Sequence, residues 1–365
     1  MVTGHHRPIR PRGANPRGPA PSLLPHLPEL DDLLRLIDAG GRHVQARMAC
    51  KVDCGPVQFD VPVISLGSHD VTHPAVAFVG GVHGLERIGS QVVMTFLRTV
   101  IERLKWDTLL HRQLESLRMV FMPLVNPGGL WRGTRANAQG VDLMRNAPLE
   151  AEEPVPFLIG GQRLSALLPW YRGPAGQPMQ PESQALCDTI ERELLSRPFS
   201  IALDCHSGFG VQDRLWFPYA HTTRPLPHLA ELHALRCILD QGYAHHPYVF
   251  EPQSQQYLTH GDLWDHLYLR ALTGHPGHLF LPLTLEMGSW LWVKKNPRQL
   301  FNRHGIFNPL IDHRQQRVLR RHLGLMDFLA RAAIGHRRWL PAAEARETLR
   351  LDALRRWYAH RPELR

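Results

Sequence analysis

The sequence predicts a three-layer α/β/α fold built on a mixed, largely parallel central sheet. Short apolar runs that end near Gly, Pro or Asn alternate with longer segments whose apolar residues recur every three or four positions. This alternation is typical of sheets that carry helices on both faces. Three of the apolar runs lead directly into a histidine or an acidic residue. In such sheets, functional sites collect at the carboxyl ends of the strands.

The periodicity of the apolar residues predicts the individual elements. Strand-like runs lie at residues 57–66, 75–79, 119–125, 201–204, 215–219 and 281–286. Helical patterns lie at residues 30–39, 88–104, 182–195, 229–239, 312–333 and 342–358. Residues 132–171 are irregular, with Gly, Pro and Asn throughout, and so long a stretch inside a compact chain is usually functional.

Composition and charge exclude several classes of protein. The chain has 365 residues, of which 43% are hydrophobic and 21% charged, as in soluble globular proteins with a sizeable core. Its formal net charge is +9. Because no zinc-finger spacing, Gly-rich phosphate loop or aromatic-interleaved basic motif accompanies this charge, we interpret it as a solvated, Arg-rich surface and expect no nucleic-acid partner. The oligomeric state is left open.

The cysteine content and the N-terminal residues indicate the cellular compartment of the protein. Five cysteines are too few and too irregularly spaced for a disulfide framework, which favours reduced thiols. The first 28 residues are rich in Pro, Arg and Gly, so we expect them to be disordered. They lack the apolar core of a secretory signal, and no run of the chain approaches membrane-spanning length. We therefore expect a cytoplasmic protein with no membrane partner.

A candidate metal motif follows the predicted strand at residues 75–79. His83 and Glu86 lie three residues apart, just before the predicted helix at 88–104. An imidazole and a carboxylate at this spacing, on a turn at the end of a strand, can bind one metal ion. The pattern alone is weak, because 23 His and 33 acidic residues produce it by chance about twice in such a chain.

Two later strand ends supply the rest of a catalytic metal site. His206 follows the strand at 201–204, and Glu286 ends the strand at 281–286. Two histidines and one carboxylate leave the fourth tetrahedral position of a zinc ion open to water, as in catalytic sites. Zinc lowers the pKa of that water to about 7, and a carboxylate that does not bind the metal can accept the proton. Glu286 is our candidate for this base.

Four motifs together resemble the zinc metallocarboxypeptidase family. In chain order they are HGLE, then NPGG–WRGTR–GVDLMRN, then DCHSG, then TLEMG, and they cover residues 78–289. The resemblance implies that one Zn²⁺ per chain is bound by His83, Glu86 and His206. It also implies that Glu286 activates the zinc-bound water. The fold expected from the resemblance is the α/β/α sandwich of this family.

The resemblance assigns four further roles. Arg135 matches the arginine that polarises the scissile carbonyl, a role that suits a fixed guanidinium. Arg145 matches the arginine that binds the terminal carboxylate of the substrate. Asp142 matches a carboxylate that orients the first zinc histidine. Tyr257 is similar to the mobile tyrosine that closes over the substrate in many members.

The sequence departs from the family pattern beside Arg145. Met144 stands where the family usually has an asparagine, so one amide donor to the substrate carboxylate is lost. Leu85 precedes the ligand glutamate where the digestive enzymes carry arginine. The motif is more similar to bacterial members and to the acylase branch, which includes succinylglutamate desuccinylase and aspartoacylase.

These observations predict a zinc metallocarboxypeptidase that cleaves an amide bond next to a free carboxylate of a peptide. The alternative on the same scaffold is an N-acyl amino acid deacylase or a peptidoglycan-peptide amidase, and Met144 keeps this alternative open. A non-catalytic binding protein that retains the fold is a third hypothesis, which the complete ligand and base set disfavours.

The predicted domains follow from the extent of the motifs. Residues 1–28 form the tail, residues 29–335 the zinc carboxypeptidase-like catalytic domain, and residues 336–365 a basic helical C-terminal extension.

Overall fold

The computed structural model describes residues 26–274 and 277–359. Eight strands form one mixed sheet. The strands are β1 (Gln45–Asp53), β2 (Gln58–Gly67), β3 (Ala75–Gly80), β4 (Arg118–Met122), β5 (Phe199–Ser207), β6 (Arg214–Phe217), β7 (Val249–Pro252) and β8 (Leu279–Met287).

The central strands of the sheet are parallel, and an antiparallel strand follows them on each side. The strand order is β1-β2-β4-β3-β5-β8-β6-β7. Strands β4, β3, β5 and β8 are parallel, whereas β2 is antiparallel to β1 and to β4, and β6 is antiparallel to β8. The four parallel strands therefore end at one edge, and the candidate residues lie at that edge.

Eleven α-helices lie in the described part of the chain. They are α1 (Pro28–Gly40), α2 (Arg87–Arg103), α3 (Thr108–Glu115), α4 (Pro127–Arg132), α5 (Pro181–Ile190), α6 (Leu229–Gly242), α7 (Leu263–Gly274), α8 (Trp290–Lys295), α9 (Asp312–Ile334), α10 (His336–Trp339) and α11 (Ala343–Trp357). Helices α2 and α9 contact each other and strands β3 and β5, and α1 contacts α2. Helices α5 and α7 form a second group, in which α5 contacts β1 and α7 contacts β8. The predicted three-layer fold is confirmed.

The central strands form because their side chains are apolar on both faces. Every residue of β3, β4 and β5 is buried, as a parallel sheet covered by helices requires. Phe78 of β3 packs edge-on against Phe96 of α2, with ring centroids 4.9 Å apart. Such aromatic pairs favour edge-to-face geometry. This contact sets α2 on β3 directly after the turn that carries His83 and Glu86.

All the predicted strands and helices are present, but several elements were not predicted. Strand β1 is an edge strand with a mostly exposed or half-buried pattern, so its sequence lacks a clear apolar alternation. Strand β7 has only four residues. Helices α3 and α7 were also missed. Residues 132–171 have little regular structure, as predicted.

The last helix packs on the body of the protein. Trp357 of α11 is buried, and its indole donates a hydrogen bond of 2.8 Å to the carbonyl oxygen of Phe250. Its ring lies edge-on to Phe217, 4.8 Å between centroids. Helix α11 also contacts α6. The predicted boundary at residue 336 stays a prediction, and most of the predicted tail (1–28) lies outside the described residues.

Within residues 26–274 and 277–359, no helix combines the length and the apolar character needed to cross a bilayer.

Replacing Trp357 tests whether α11 contributes to the stability of the body. We expect Trp357→Ala to lower the free energy of unfolding by about 3–5 kcal/mol, because it leaves a cavity between α6 and β7. Leu351→Ala, an exposed position on the same helix, should change it by less than about 0.5 kcal/mol. Denaturant unfolding measures both, and equal small effects would contradict the packing described.

Candidate active site

Three strand ends bring the predicted metal ligands and base together. His83 lies in the turn after β3, and Glu86 precedes the first residue of α2. His206 lies in β5, directly opposite Glu286 of β8 in the parallel register. All four side chains are buried. The arrangement arises because β3, β5 and β8 are neighbours with their carboxyl ends at the same edge.

The three predicted ligands point their donor atoms at one another. The Nδ1 atoms of His83 and His206 are 3.1 Å apart. Glu86 places Oε1 2.9 Å from Nδ1 of His83 and Oε2 3.3 Å from Nδ1 of His206. One donor atom from each residue lies within 4.8 Å of the others. A two-histidine, one-carboxylate group of this size matches the ligand set of a catalytic zinc site.

A buried carboxylate faces the far nitrogen of each imidazole. Asp142 lies 3.1 Å from Nε2 of His83, and Asp204 lies 2.7 Å from Nε2 of His206. Each carboxylate can accept a hydrogen bond from the N–H at the Nε2 position of its ring, and the neutral ring then has a lone pair on Nδ1 that can bind a cation. Two lone pairs and a carboxylate at this separation repel one another unless a positive charge lies between them. The donor set therefore fits a divalent cation.

The titration of the cluster follows from the same charges. Burial alone would raise the pKa of Glu86, but the nearby His83 and His206 hold this pKa below its usual value. Burial would lower the pKa of His206, yet Asp204 and Glu86 raise it well above the ordinary value. The cluster as a whole stabilises positive charge at the point where the Nδ1 atoms meet.

Glu286 lies beside this cluster without joining it. Its Oε1 accepts a hydrogen bond of 3.0 Å from the backbone N–H of Phe209. Burial and the negative charge of Glu86 raise its pKa to about 8, against the opposing influence of His206 and Arg135. A buried carboxyl group whose pKa lies this close to neutrality is a candidate for proton transfer.

Arg135 bridges two carboxylates of the site. Its Nε donates to Oδ2 of Asp142 over 2.8 Å, and its Nη1 donates to Oε1 of Glu86 over 3.2 Å. Burial opposes the charge of the guanidinium, but Asp142 and Glu86 outweigh it and raise the pKa of Arg135 further. The guanidinium is thus held at the cluster as a permanent positive charge.

The site opens into a cavity of about 650 Å³. Arg145 lines it, and the Nε of this arginine donates to the carbonyl oxygen of Ile159 over 3.2 Å. Met144 lines the same wall, so the residue that departs from the family pattern faces the candidate substrate. Tyr257 also lines the cavity, with its ring edge-on to Trp216, and burial raises its pKa. Eight of the nine predicted site residues therefore line one cavity, and the ninth, Asp142, lies behind them in contact with His83 and Arg135.

Two glycines allow close backbone approaches in and just after the turn that carries His83 and Glu86. A Cβ atom on Gly84 would lie 2.0 Å from the backbone carbon of Gly129, and one on Gly89 would lie 2.2 Å from the carbonyl oxygen of Cys205. Gly84 lets the turn pack on the Asn126–Gly129 segment. Gly89 lets α2 approach β5, which carries His206.

Sequence reasoning missed several residues that shape the site. Asp204 is recognisable afterwards, because it lies two residues before His206 and so shares a face of β5. The indole of Trp264 donates to the same Asp204 oxygen over 2.9 Å. Asp262 also lines the cavity, and burial and repulsion from Asp265 raise its pKa to about 7. No local pattern in the sequence marks Trp264 or Asp262 as part of the site.

Comparison with characterised proteins gives short sequence matches to carboxypeptidases. The chain is 33% identical over 75 residues to "Carboxypeptidase SOL1" of Arabidopsis thaliana, which covers 20% of this chain and 15% of that protein. It is 28% identical over 156 residues to "Carboxypeptidase E" of Caenorhabditis elegans, covering 39% and 32% of the two chains. The chain thus matches at most about a third of the length of these relatives.

Solved structures show the same fold over most of the chain. Bovine thrombin-activatable fibrinolysis inhibitor, in complex with tick carboxypeptidase inhibitor, superposes with a TM-score of 0.60 at 17% identity, covering 84% of this chain and 97% of that one. Carboxypeptidase A from Helicoverpa armigera gives 0.61 at 16% identity, covering 85% and 74%.

The family profile gives the assignment. Residues 50–271 match peptidase family M14, described as zinc carboxypeptidase. The match covers more than half of the chain and includes both histidines of the buried cluster. The chain belongs to the zinc carboxypeptidase family.

Proposed function

We propose that this protein is a zinc-dependent hydrolase that cleaves a peptide or amide bond next to a free carboxylate. The observation that carries the proposal is the convergence of the His83, Glu86 and His206 donor atoms in a cavity that also holds Glu286 and two arginines. Acyl transfer to water needs a metal site, a base and a cation for the developing oxyanion, and this cavity offers a candidate for each.

The metal would be held by His83 and His206 through Nδ1 and by Glu86 through its carboxylate. Zinc at that position supplies a Lewis acid that polarises the substrate carbonyl and acidifies a water molecule. Asp142 and Asp204 keep the two imidazole rings oriented, because each accepts a hydrogen bond from the far nitrogen.

Glu286 is the proposed general base. Its carboxylate accepts a proton from the attacking water and then returns that proton to the leaving amine. The hydrogen bond from the Phe209 N–H holds Oε1 in place, so the carboxylate keeps its position through both transfers. With a divalent cation held by His83, Glu86 and His206, the pKa of the Glu286 carboxyl group would lie below its raised value, and the group would be in its basic form near neutral pH.

The two arginines have separate proposed roles. Arg135 lies against Glu86, so its charge is available to the oxyanion that forms beside the metal ligands. Arg145 lines another part of the cavity and would bind the free carboxylate of the substrate through its guanidinium. Tyr257 faces the same cavity and would cover the bound substrate.

Met144 supports the second candidate function, an N-acyl amino acid deacylase or peptidoglycan-peptide amidase. This side chain lines the cavity next to Arg145 and offers no hydrogen-bond donor to a carboxylate. Affinity for the C-terminus of a peptide is then weaker than with an amide at this position. The two functions share the same metal site and base but differ in what lies on either side of the cleaved bond.

The remaining proposals concern the context of the site. We place the catalytic unit at residues 29–335. The five cysteines are free thiols, which supports function in a reducing compartment such as the cytoplasm.

Asp204→Asn tests whether the second carboxylate supports metal binding. We expect zinc affinity to fall by about 10- to 100-fold, because the His206 ring loses the acceptor that orients it. Competition titration against a chromophoric chelator measures the affinity. Asp265→Asn is the matched control, since this buried carboxylate also contacts a histidine, His221, that is not part of the cluster. If both variants bind zinc as the wild type does, the proposed support is absent.

Glu286→Gln in chelator-treated protein tests the burial of this carboxyl group. Its pKa is 4.5 in the unfolded reference and about 8 in the fold, so the folded state keeps the proton while the unfolded state loses it. The wild type should therefore lose stability relative to the variant as the pH rises from about 4.5 to about 8. Thermal unfolding with chelator across this range measures the difference. Exposed Glu344→Gln should show no such trend, and a pH-independent difference for Glu286→Gln would contradict the raised pKa.

Glu286→Gln in zinc-loaded protein tests the mechanism. Zinc content should stay at one ion per chain, while kcat falls by about 10²- to 10⁴-fold because the base is lost. Wild-type turnover by this variant would refute the proposed mechanism.

A substrate panel on the zinc-loaded wild type separates the two candidate functions. Peptides with a free C-terminus should be hydrolysed with kcat/KM about 10- to 100-fold above that of their C-terminal amides, since Arg145 loses a charged partner in the amides. N-acyl amino acids belong on the same panel. If they outpace every peptide, the deacylase is the correct function, and Met144→Asn should then shift activity towards peptides.

A further inference from the structure

Exposed apolar side chains occur in two stretches that also help to form the cavity. Residues 155–170, here called the rim loop, expose Phe157, Leu164 and Leu167. Residues 290–307, here called the rim segment, expose Leu300 and Phe301. Leu167 and Phe301 have 95% and 93% of their surface exposed, so nothing in the described chain covers them. Both stretches also contribute residues to the cavity wall.

The rim loop is ordered by a buried glutamine. The side-chain amide of Gln162 donates to the carbonyl oxygens of Ser165, Leu168 and Pro169, and its own oxygen accepts from the backbone N–H groups of Leu164 and Ser165. These bonds fix the backbone of the loop. The apolar side chains therefore face solvent from a backbone of defined conformation. Exposure of such side chains to water is unfavourable, and a group of them usually marks an interaction site.

The rim segment is ordered in the same way. The amide of buried Gln299 donates to the carbonyl oxygens of Gly305 and Asn308. Asn308 in turn donates to the carbonyl oxygen of Leu85 and accepts from the N–H of Ile88, on either side of Glu86. The rim segment is thus bound directly to the turn that carries the metal ligands.

Positive charge accompanies the apolar side chains of the rim segment. No acidic residue occurs between positions 287 and 311. Lys294, Lys295, Arg298 and Arg303 are all exposed, and none forms an ion pair with the described residues. Exposed Trp290, whose indole donates to the carbonyl oxygen of Gly208, lies in the same stretch. Trp, Phe and Leu combined with unpaired Lys and Arg are the composition of surfaces that bind the interface of a bilayer.

We propose that the rim loop and rim segment form a docking surface for an anionic lipid bilayer, with the mouth of the cavity facing the membrane. The cations attract the negative headgroups, and the apolar side chains enter the boundary between headgroups and acyl chains. This goes beyond the proposed function, because docking requires neither zinc nor turnover. It also revises the expectation of no membrane partner, which rested on the lack of a spanning segment and does not concern peripheral contact.

A nucleic acid is the competing polyanion. It would use the same four cations, but it has no apolar layer for side chains such as Leu167 and Leu164. Leucines cannot stack on bases as aromatic rings do. The exposed leucines therefore favour lipid.

Vesicle co-sedimentation of the full chain tests the docking surface. Wild-type protein should bind vesicles enriched in phosphatidylglycerol, bind phosphatidylcholine vesicles far more weakly, and dissociate as salt is raised. Phe301→Ser and Leu167→Ser should each weaken partitioning by about 10-fold, since each removes an apolar side chain that enters the interface. Lys294→Gln should weaken it by about 5-fold.

Matched controls come from the opposite edge of the sheet. Helix α2 begins at the metal turn and runs away from it, so Trp106 and Arg112 lie beyond its far end. Trp106→Ser and Arg112→Gln, at exposed positions, should leave vesicle binding unchanged. Hydrolysis of a soluble peptide should be the same in Phe301→Ser as in the wild type.

Four results would overturn the proposal. They are no binding to anionic vesicles, equal binding to both lipid compositions, equal losses in the Trp106→Ser control, and a loss in Lys294→Gln without any loss in the two apolar variants. The last result would indicate a general polyanion site. Because vesicle binding is measured without substrate, an inactive protein that binds vesicles would refute the proposed function and leave the docking surface intact.

Discussion

The close approach of two imidazole nitrogens is the constraint on which the rest of the site depends. The Nδ1 atoms of His83 and His206 lie 3.1 Å apart, with the Glu86 carboxylate against both. The far nitrogens already face Asp142 and Asp204, so neither ring can rotate its lone pair away without losing a buried hydrogen bond. The protein thus holds three electron-rich groups together, and a positive charge between them, from a bound cation or a protonated imidazole, relieves their mutual repulsion.

The surrounding charges are arranged around this constraint. Asp142, Asp204, Glu86 and Glu286 place four carboxyl groups in a buried region where isolated charges are costly. Arg135 offsets two of them, and the imidazoles offset a third. The hydrogen-bond donor to Glu286 is a backbone N–H, which carries no charge. Burial is therefore less fully compensated than at the other three carboxyl groups, and the pKa of Glu286 is raised. Of the four carboxyl groups, Glu286 has the fewest positive charges and donors to offset its burial, and it is therefore the one best suited to exchange protons.

The sequence contained most of the information about the metal cluster and much less about its surroundings. The structure brings His83, His206 and Glu286 together because they stand at or just after the ends of neighbouring strands, and parallel strands bring such ends together. Glu86 joins them because it lies three residues after His83. Asp204 carried a weak local signal, whereas Trp264 and Asn308 reach the site only through tertiary contacts. Edge strand β1 was missed because half-exposed strands lack the apolar pattern of central ones. The exposure of Phe301 depends on how Gln299 orders the backbone around it, which no local pattern encodes.

The hydrogen bond between Asn308 and Ile88 joins residues 220 positions apart. During synthesis on the ribosome the HGLE turn emerges early, whereas its base in β8 and its support at Asn308 emerge after most of the chain has been made. Contacts of such long range form late, because the loop between them must close first. A nascent chain therefore exposes His83 and Glu86 before the other half of the site exists. A truncated product that ends before β8 therefore carries all three candidate ligands, but it lacks Glu286 and the support that Asn308 gives to the turn.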